Sequence, residues 1–196
     1  MAKLYFRYSA MNSGKTTALI QAAFNYEERG MHPVVVKPAV DTKGGDNIVT
    51  RLGISRKVDV MLKPNDIVAE RLDAEFEKQP FACVLVDEVQ FITAAQAEEF
   101  FWYAVTKNVP ILAYGLRADF STTGFPGSTR MLELAHEVQE LKTICRCGKK
   151  ALFNGRKVNG EFVREGSQVE IDDQASVEYE SLCADDYRKL VLKQTS

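Results

Sequence analysis

Ser9, Ala10, Met11, Asn12, Ser13, Gly14, Lys15 and Thr16 form a run whose types and order could hold the phosphate tail of ATP. The run follows a short apolar-alternating segment, residues 4–8, and opens a helical pattern over residues 17–29. A strand, a turn of small residues and Gly-Lys-Thr at a helix start are the parts of a phosphate-binding loop. Backbone N–H groups around Gly14 would wrap the β-phosphate, which also sits at the positive end of the helix dipole. Lys15 would neutralise the β and γ oxygens, and the Thr16 hydroxyl would ligate Mg²⁺. Ser9 stands where such loops usually begin with glycine, so the opening turn is made without glycine's conformational freedom. A Gly-Lys-Thr that merely caps a helix is the plainer alternative, and a second acidic element weighs against it.

That element is Cys83-Val84-Leu85-Val86-Asp87-Glu88, an apolar run that reads as a buried strand ending in two carboxylates. It has the form of a Walker B segment. Asp87 would hold Mg²⁺ through water, and Glu88 could accept a proton from an attacking hydroxyl or water. Alone, the pair would be no more than an exposed acidic strand end. Cys83, inside the strand, reads as a small core residue.

Cys145, Cys147 and Cys183 are a third cluster, with Asp186 following Cys183 at metal-ligand spacing. Three thiolates and a carboxylate could hold a structural Zn²⁺. Cys-x-Cys is less specific than Cys-x-x-Cys, so spacing alone leaves a metal clip and three unrelated thiols both open. His32, in a helix-to-strand loop, and His136, expected on a helix, lie away from these groups. Phe91, Phe120, Phe125 and Tyr179 flank glycines or the acidic pair, where aromatic rings could stack on a flat base or simply pack.

The elements that must position these groups alternate. Strands are expected at residues 33–37, 82–86 and 110–114, and helices from Asn65 or Asp66 to 77, from a Thr93 capping box to 107, and over 128–138. Residues 41–57 and 115–127 read as loops. Such alternation predicts an α/β fold, a parallel P-loop sheet with helices on both faces, whose ligands sit at the carboxyl ends of its strands. After Cys145 the pattern changes to a hairpin, residues 152–158 and 161–164 around Asn159-Gly160, with short strands at 169–171 and 179–183 and a helix near 185–193. This suggests two units, a nucleotide-binding domain at 1–143 and a small zinc-ribbon-like β domain at 144–196. The second is too short for much of a core, and a metal clip would help it fold.

The 196 residues carry a net charge of −2, with 45% apolar and 27% charged residues, which suits a globular protein. There is no diffuse basic field to hold a nucleic-acid backbone. No apolar run reaches membrane-spanning length and no signal-peptide pattern is present, so a cytoplasmic protein with no nucleic-acid or membrane partner is expected. In that compartment, thiols or metal ligands are expected rather than disulfides.

Together the motifs resemble the cytosolic, zinc-containing thymidine kinases, closest to the bacterial members. The resemblance runs from Leu4 to about Tyr187. It rests on Tyr8 through Thr16, Val86-Asp87-Glu88-Val89-Gln90-Phe91, Tyr114-Gly115-Leu116-Arg117-Ala118-Asp119-Phe120, Leu141 through Gly148, and Tyr179-Glu180-Ser181-Leu182-Cys183. It implies transfer of the ATP γ-phosphate to the 5′-hydroxyl of thymidine, with Glu88 as base, Gln90 and Asp87 among the ATP-binding residues, Mg²⁺ on Thr16 and Asp87, a structural Zn²⁺ and a homotetramer. Met11, Phe91, Leu116, Phe120, Phe125 and Tyr179 match positions around the thymine. Val169, Glu170 and Ile171 fall in a segment whose backbone reads the base in relatives. Three positions depart from the family pattern. Asp186 replaces a Cys or His ligand, Ile171-Asp172-Asp173 replaces Ile-Gly-Gly, and Asp41-Thr42-Lys43 replaces Asp-x-Arg. A kinase of broadened deoxynucleoside preference, a P-loop ATPase acting on nucleic acid and a nucleotide-binding module without turnover remain as alternatives.

Overall fold

The computed structural model describes residues 1–42, 44–166 and 177–194. Strands β1 (Leu4–Ser9) and β2 (Pro33–Pro38) are followed by a separate hairpin of β3 (Asn47–Val49) and β4 (Ser55–Lys57). Then come β5 (Val60–Leu62), β6 (Cys83–Val86), β7 (Ile111–Leu116) and β8 (Glu137–Glu140). Apart from the hairpin, these make one parallel sheet of six strands in the order β5-β2-β6-β7-β1-β8.

Helices α1 (Lys15–Glu27), α2 (Val68–Lys78), α3 (Ala94–Lys107) and α4 (Pro126–Leu134) cover the sheet. Successive strand residues point to opposite faces, so a central strand that is covered twice is apolar along most of its length. Val34, Val36, Val84, Val86, Ile111 and Ala113 meet Val68, Leu72, Phe100 and Met131 of α2, α3 and α4. Val35, Cys83, Leu85, Leu112 and Tyr114 meet Leu19 and Ala23 of α1 on the other face. Each fully buried aliphatic side chain contributes about 1.5–3 kcal/mol, which makes these two clusters the main source of stability.

Four local readings change in three dimensions. The segment read as a loop at 41–57 contains the β3–β4 hairpin, whose three-residue strands are too short to show alternation. Edge strand β5 had no separate sequence signal. The helix read over 128–138 instead begins at Pro126, a residue suited to a first helical turn, and ends at Leu134. The chain then enters β8, an exposed strand that pairs with β1. His136 therefore lies between helix and strand: its N–H donates to the Leu4 carbonyl, its Nδ1 accepts from the Leu4 N–H at 3.1 Å, and its ring stacks on Phe101. Finally, α2 starts after Ile67 rather than at Asn65 or Asp66. Its Val68 N–H donates to Glu99 of α3 at 2.6 Å, a cap supplied from another helix. The Thr93–Gln96 capping box of α3 forms as expected.

The C-terminal unit starts with β9 (Thr143–Ile144) and β10 (Lys150–Ala151), an antiparallel pair around the first two cysteines. A second antiparallel sheet holds β11 (Phe153–Val158), β12 (Glu161–Val163) and β13 (Val177–Leu182), in the order β12-β11-β13. Helix α5 (Ala184–Leu190) closes the unit. The strand expected at 169–171 lies outside the described residues. Contrary to expectation the unit has a core of its own, Cys145, Ala151, Leu182, Cys183, Tyr187 and Val191. It docks through the Tyr187 hydroxyl, which donates to the Phe120 carbonyl at 2.6 Å. No helix among the described residues is long and apolar enough to cross a membrane.

A 3₁₀ turn, Val89–Phe91, comes directly after Asp87-Glu88 and is packed from both sides. A Cβ at Gly127 of α4 would lie 2.6 Å from the Ile92 oxygen and 2.7 Å from the Val89 oxygen. Backbone cannot yield as a side-chain tip can, so Gly127→Ala is expected to cost about 1–3 kcal/mol. A lowered denaturant midpoint checks this, and an unchanged midpoint would show that α4 shifts without penalty.

Candidate active site

The phosphate loop links β1 to α1. Asn12 and Gly14 have left-handed backbones, φ 62° and 79°, and Gly14 is the residue before the helix. The Lys15 side chain is buried and curls back over the loop, donating to Ser9 Oγ at 3.2 Å and the Ala10 carbonyl at 3.3 Å. Ser9 Oγ also touches Ser13 Oγ. The serine in the unusual first position thus closes the loop with its hydroxyl.

Asp87 arrives from β6, two strands away in the sheet, and accepts from the Thr16 hydroxyl at 3.2 Å. A divalent ion needs such a neighbouring hydroxyl and carboxylate. Burial, and after it the adjacent Glu88 carboxylate, push Asp87 up to about 7, opposed by the Glu88 N–H, the Thr16 hydroxyl and Lys15. Glu88 leaves the strand in a left-handed conformation, φ 48° and ψ 43°, uncommon for a residue with a side chain and a form of strain found at functional sites.

A cleft of about 420 Å³ joins these groups. It is lined by the loop from Met11 to Thr17, by Asp41, by Val49 to Leu52 of the hairpin, and by Glu88, Gln90, Phe91 and Leu116. Asp41 is held there by the buried Lys37, whose ammonium lies 3.2 Å from its carboxylate and donates to the Gly45 carbonyl at 3.3 Å. Lys43 lies outside the described residues, as do Val169, Glu170, Ile171, Asp172 and Asp173.

The aromatic residues divide. Phe91 faces the cleft, and Phe125 packs edge-on behind it at 6.0 Å between ring centroids. Phe120 is buried beneath the Arg156 guanidinium, 5.0 Å from its ring. Tyr179 meets the phosphate loop through its backbone, where its carbonyl accepts from Asn12 Nδ2 at 3.2 Å.

Sequence reading missed residues of the C-terminal unit that grip this loop. Buried Asn154 of β11 accepts from the Met11 N–H at 2.7 Å and donates to the Ala118 carbonyl at 2.8 Å. The Ser181 hydroxyl donates to the Met11 carbonyl. An asparagine inside a strand, where its type is disfavoured, was the one available signal. Hairpin residues Thr50, Arg51 and Leu52 gave none.

Cys145, Cys147, Cys183 and Asp186, whose spacing left a metal clip and unrelated thiols both open, converge with ligand atoms all within 4.8 Å of one another. Cys147 Sγ and Cys183 Sγ are 3.6 Å apart, and Cys145 Sγ is 3.0 Å from Asp186 Oδ2. Thiolate bonds of about 2.3 Å in a tetrahedron put neighbouring ligands roughly 3.8 Å apart, so this set of donors fits zinc.

A Gly-Lys-Thr loop between the first strand and a helix, with a carboxylate pair entering the same cleft from a strand two places across, is the arrangement of a P-loop enzyme of the phosphoryl-transfer class. The sequence model of the family described as thymidine kinase matches residues 2–187, and the chain belongs to the thymidine kinase family. It is 42% identical over 193 residues to the thymidine kinase of Pasteurella multocida, covering 97% of this chain and 99% of that one. Identity to the thymidine kinase of Ruegeria pomeroyi is 43% over 194 residues, covering 96% and 95%. For that of Enterobacteria phage T4 it is 42% over 195 residues, covering 98% and 99%.

Glu180, on β13 beside the loop contacts, joins the two halves of the C-terminal unit. It pairs with Arg146 through bonds of 2.6 and 2.8 Å and with Lys157 at 2.7 Å. Burial alone would raise its pKa, but the hydrogen bonds from Arg146 and Lys157 outweigh it and hold Glu180 below the usual carboxylate range. A lowered folded value means stability that is present at neutral pH and lost as pH falls through that value. Glu180→Gln is therefore expected to melt slightly below the native protein at neutral pH, by about 1 kcal/mol or less. The gap should close in acid, and thermal melts at both pH values check the sign.

Proposed function

We propose that this chain transfers the γ-phosphate of ATP to the 5′-hydroxyl of thymidine. The observation that carries the reading is the shared cleft, in which Lys15, Thr16 and Glu88 all face the same space while Asp87 touches Thr16 from below. In the proposed reaction the 5′-oxygen forms a bond to the γ-phosphorus as the bond to the β-γ bridging oxygen breaks, and the hydroxyl proton passes to Glu88. Phosphoryl transfer depends mostly on positioning and on charge neutralisation. Lys15 and the loop N–H groups from Ser9 to Thr16 would hold the β- and γ-phosphates. Magnesium, held by Thr16 and Asp87, would neutralise the charge that builds up on those oxygens.

Met11, Phe91 and Leu116 would form the wall against thymine, with Phe120, Phe125 and Tyr179 supporting it from behind. Residues 1–143 serve as the catalytic unit in this reading, and 144–196 as a buttress for the phosphate loop. Zinc on Cys145, Cys147, Cys183 and Asp186 would tie that buttress together. Family membership supports a homotetramer in the cytoplasm. An ATPase acting on nucleic acid is not favoured, since the family is one of thymidine kinases and the net charge is −2.

Coupled ADP release with Mg²⁺-ATP and a panel of deoxynucleosides tests the reaction. Turnover with thymidine and deoxyuridine but not with deoxycytidine or purine deoxynucleosides is expected, and uniform turnover would refute thymidine preference. Glu88→Gln should keep ATP binding and lose about 10²–10⁴-fold in kcat, the usual contribution of a general base. Metal analysis should find one zinc per chain, and Asp186→Ala should lose zinc to a chelator faster than the native protein. Protein purified without zinc but fully active would remove the metal from this account.

A further inference from the structure

We infer that Gln90 positions the Glu88 carboxylate, and that its side-chain amide serves the base rather than the phosphates. The inference rests on Glu88 being the base. Gln90 lies on the 3₁₀ turn and is only 3% exposed, although it stands two residues from a group that must meet substrate. Its Oε1 accepts from the Leu116 backbone N–H at 3.0 Å, and its Nε2 donates to Glu88 Oε2 at 2.5 Å. The orientation of an amide is ambiguous by shape alone, but a backbone N–H can only donate. Leu116 therefore fixes the oxygen on its own side and turns the NH₂ toward Glu88. Among the described residues, the Glu88 carboxylate takes a hydrogen bond from Gln90 alone.

The surroundings are shaped to this contact. A Cβ on Gly115 of β7 would lie 2.8 Å from Gln90 Oε1 and 2.6 Å from Val89 Cγ1, so the amide can lie against the strand only because residue 115 has no side chain. The bond spans two different strand ends, since Glu88 lies just past β6 and Leu116 closes β7. A neutral amide suits the task. It holds one carboxylate oxygen by donating to it, and it takes up no proton itself. With one carboxylate oxygen held by Gln90, the other is available to the substrate hydroxyl. A phosphate ligand, by contrast, would need an N–H directed at the loop, whereas the amide oxygen is fixed by Leu116 and one of the two N–H groups by Glu88.

Gln90→Glu separates these roles with little change of shape. Its carboxylate can still accept from the Leu116 N–H, but it brings a second acid to Glu88 in place of a donor. The expected result is ATP binding within about threefold of the native protein, measured with a non-hydrolysable analogue, and kcat lower by about 10–100-fold. KM for thymidine and for ATP should stay within about threefold of the native values, so that the loss falls on kcat. Gln90→Met, which removes both bonds, should lower kcat while leaving analogue binding alike, and it stands in if the glutamate variant does not fold. Analogue binding weakened more than about tenfold with kcat unchanged would return Gln90 to the phosphates. Turnover within about twofold of native in both Gln90→Glu and Gln90→Met would reduce it to packing. Either result overturns the inference. Near-native turnover by Glu88→Gln, measured alongside, would instead remove the base itself, whatever the Gln90 variants do.

Discussion

A strand covered by helices on both faces has nowhere to place an unpaired charged side chain except at its end. In this fold β6 and β7 carry no charged side chain, Arg7 of β1 and Lys37 of β2 are tied to Tyr114 and Asp41, and the polar groups of the cleft emerge where the carboxyl ends of these four strands leave the apolar layers. Parallel pairing sends all of those ends to one edge. The phosphate loop after β1, Asp41 after β2, Asp87-Glu88 after β6 and Leu116 at the end of β7 are thus neighbours because of the sheet, although they span more than half of the chain. The same layering explains the environment of Asp87, where burial is the leading cause of a carboxyl pushed up to about 7.

The cleft is built from backbone conformations that are costly to hold in isolation. Glu88 has a left-handed backbone, and the turn after it fits against β7 and α4 only because Gly115 and Gly127 lack side chains. Such conformations persist when their surroundings over-determine them. Here the surroundings are the sheet on one side and α4 on the other, so the turn after Asp87-Glu88 is held by the packing of the core. The left-handed Asn12 in the phosphate loop is secured differently, by the Tyr179 carbonyl and by the bonds that Asn154 and Ser181 make to its neighbour Met11.

That second support gives the C-terminal unit a role besides carrying the cysteine cluster. Its core is six side chains, two of them cysteines of the cluster, and the strands that carry the loop contacts run directly into it. A unit this small gains much of its order from cross-links, and a metal held by residues 145 to 186 would close a long segment of chain. Order at the cluster and order at the phosphate loop are then connected through β13 and the residue after it, since Tyr179, Glu180, Ser181 and Cys183 are close in sequence.

Much of the chemistry was legible in the sequence because it is local. The phosphate loop, the Asp87-Glu88 strand end, the Thr93 capping box and the Asn159-Gly160 turn each depend on residues within one turn or one strand, and all appear as read. The cysteine cluster was legible in its membership but not in its convergence. Hairpin β3–β4 and edge strands β5 and β8 were not seen, because short or half-exposed strands need neither an apolar run nor clear alternation. His136 looked helical until β8 paired with β1. The purposes of Glu99, Asn154 and Ser181 could not be read at all, and the bond of Gln90, expected among the ATP-binding residues, to Leu116 could not be foreseen, since each meets a backbone group on a distant element, across as many as 170 positions for Ser181 and Met11. Sequence alone determined which groups could hold phosphate, accept a proton or bind a metal, because side-chain chemistry and local backbone preference suffice for that. Tertiary structure alone decided which of them meet and what holds them there, because that depends on the order of strands in the sheet and on hydrogen bonds with no local signature.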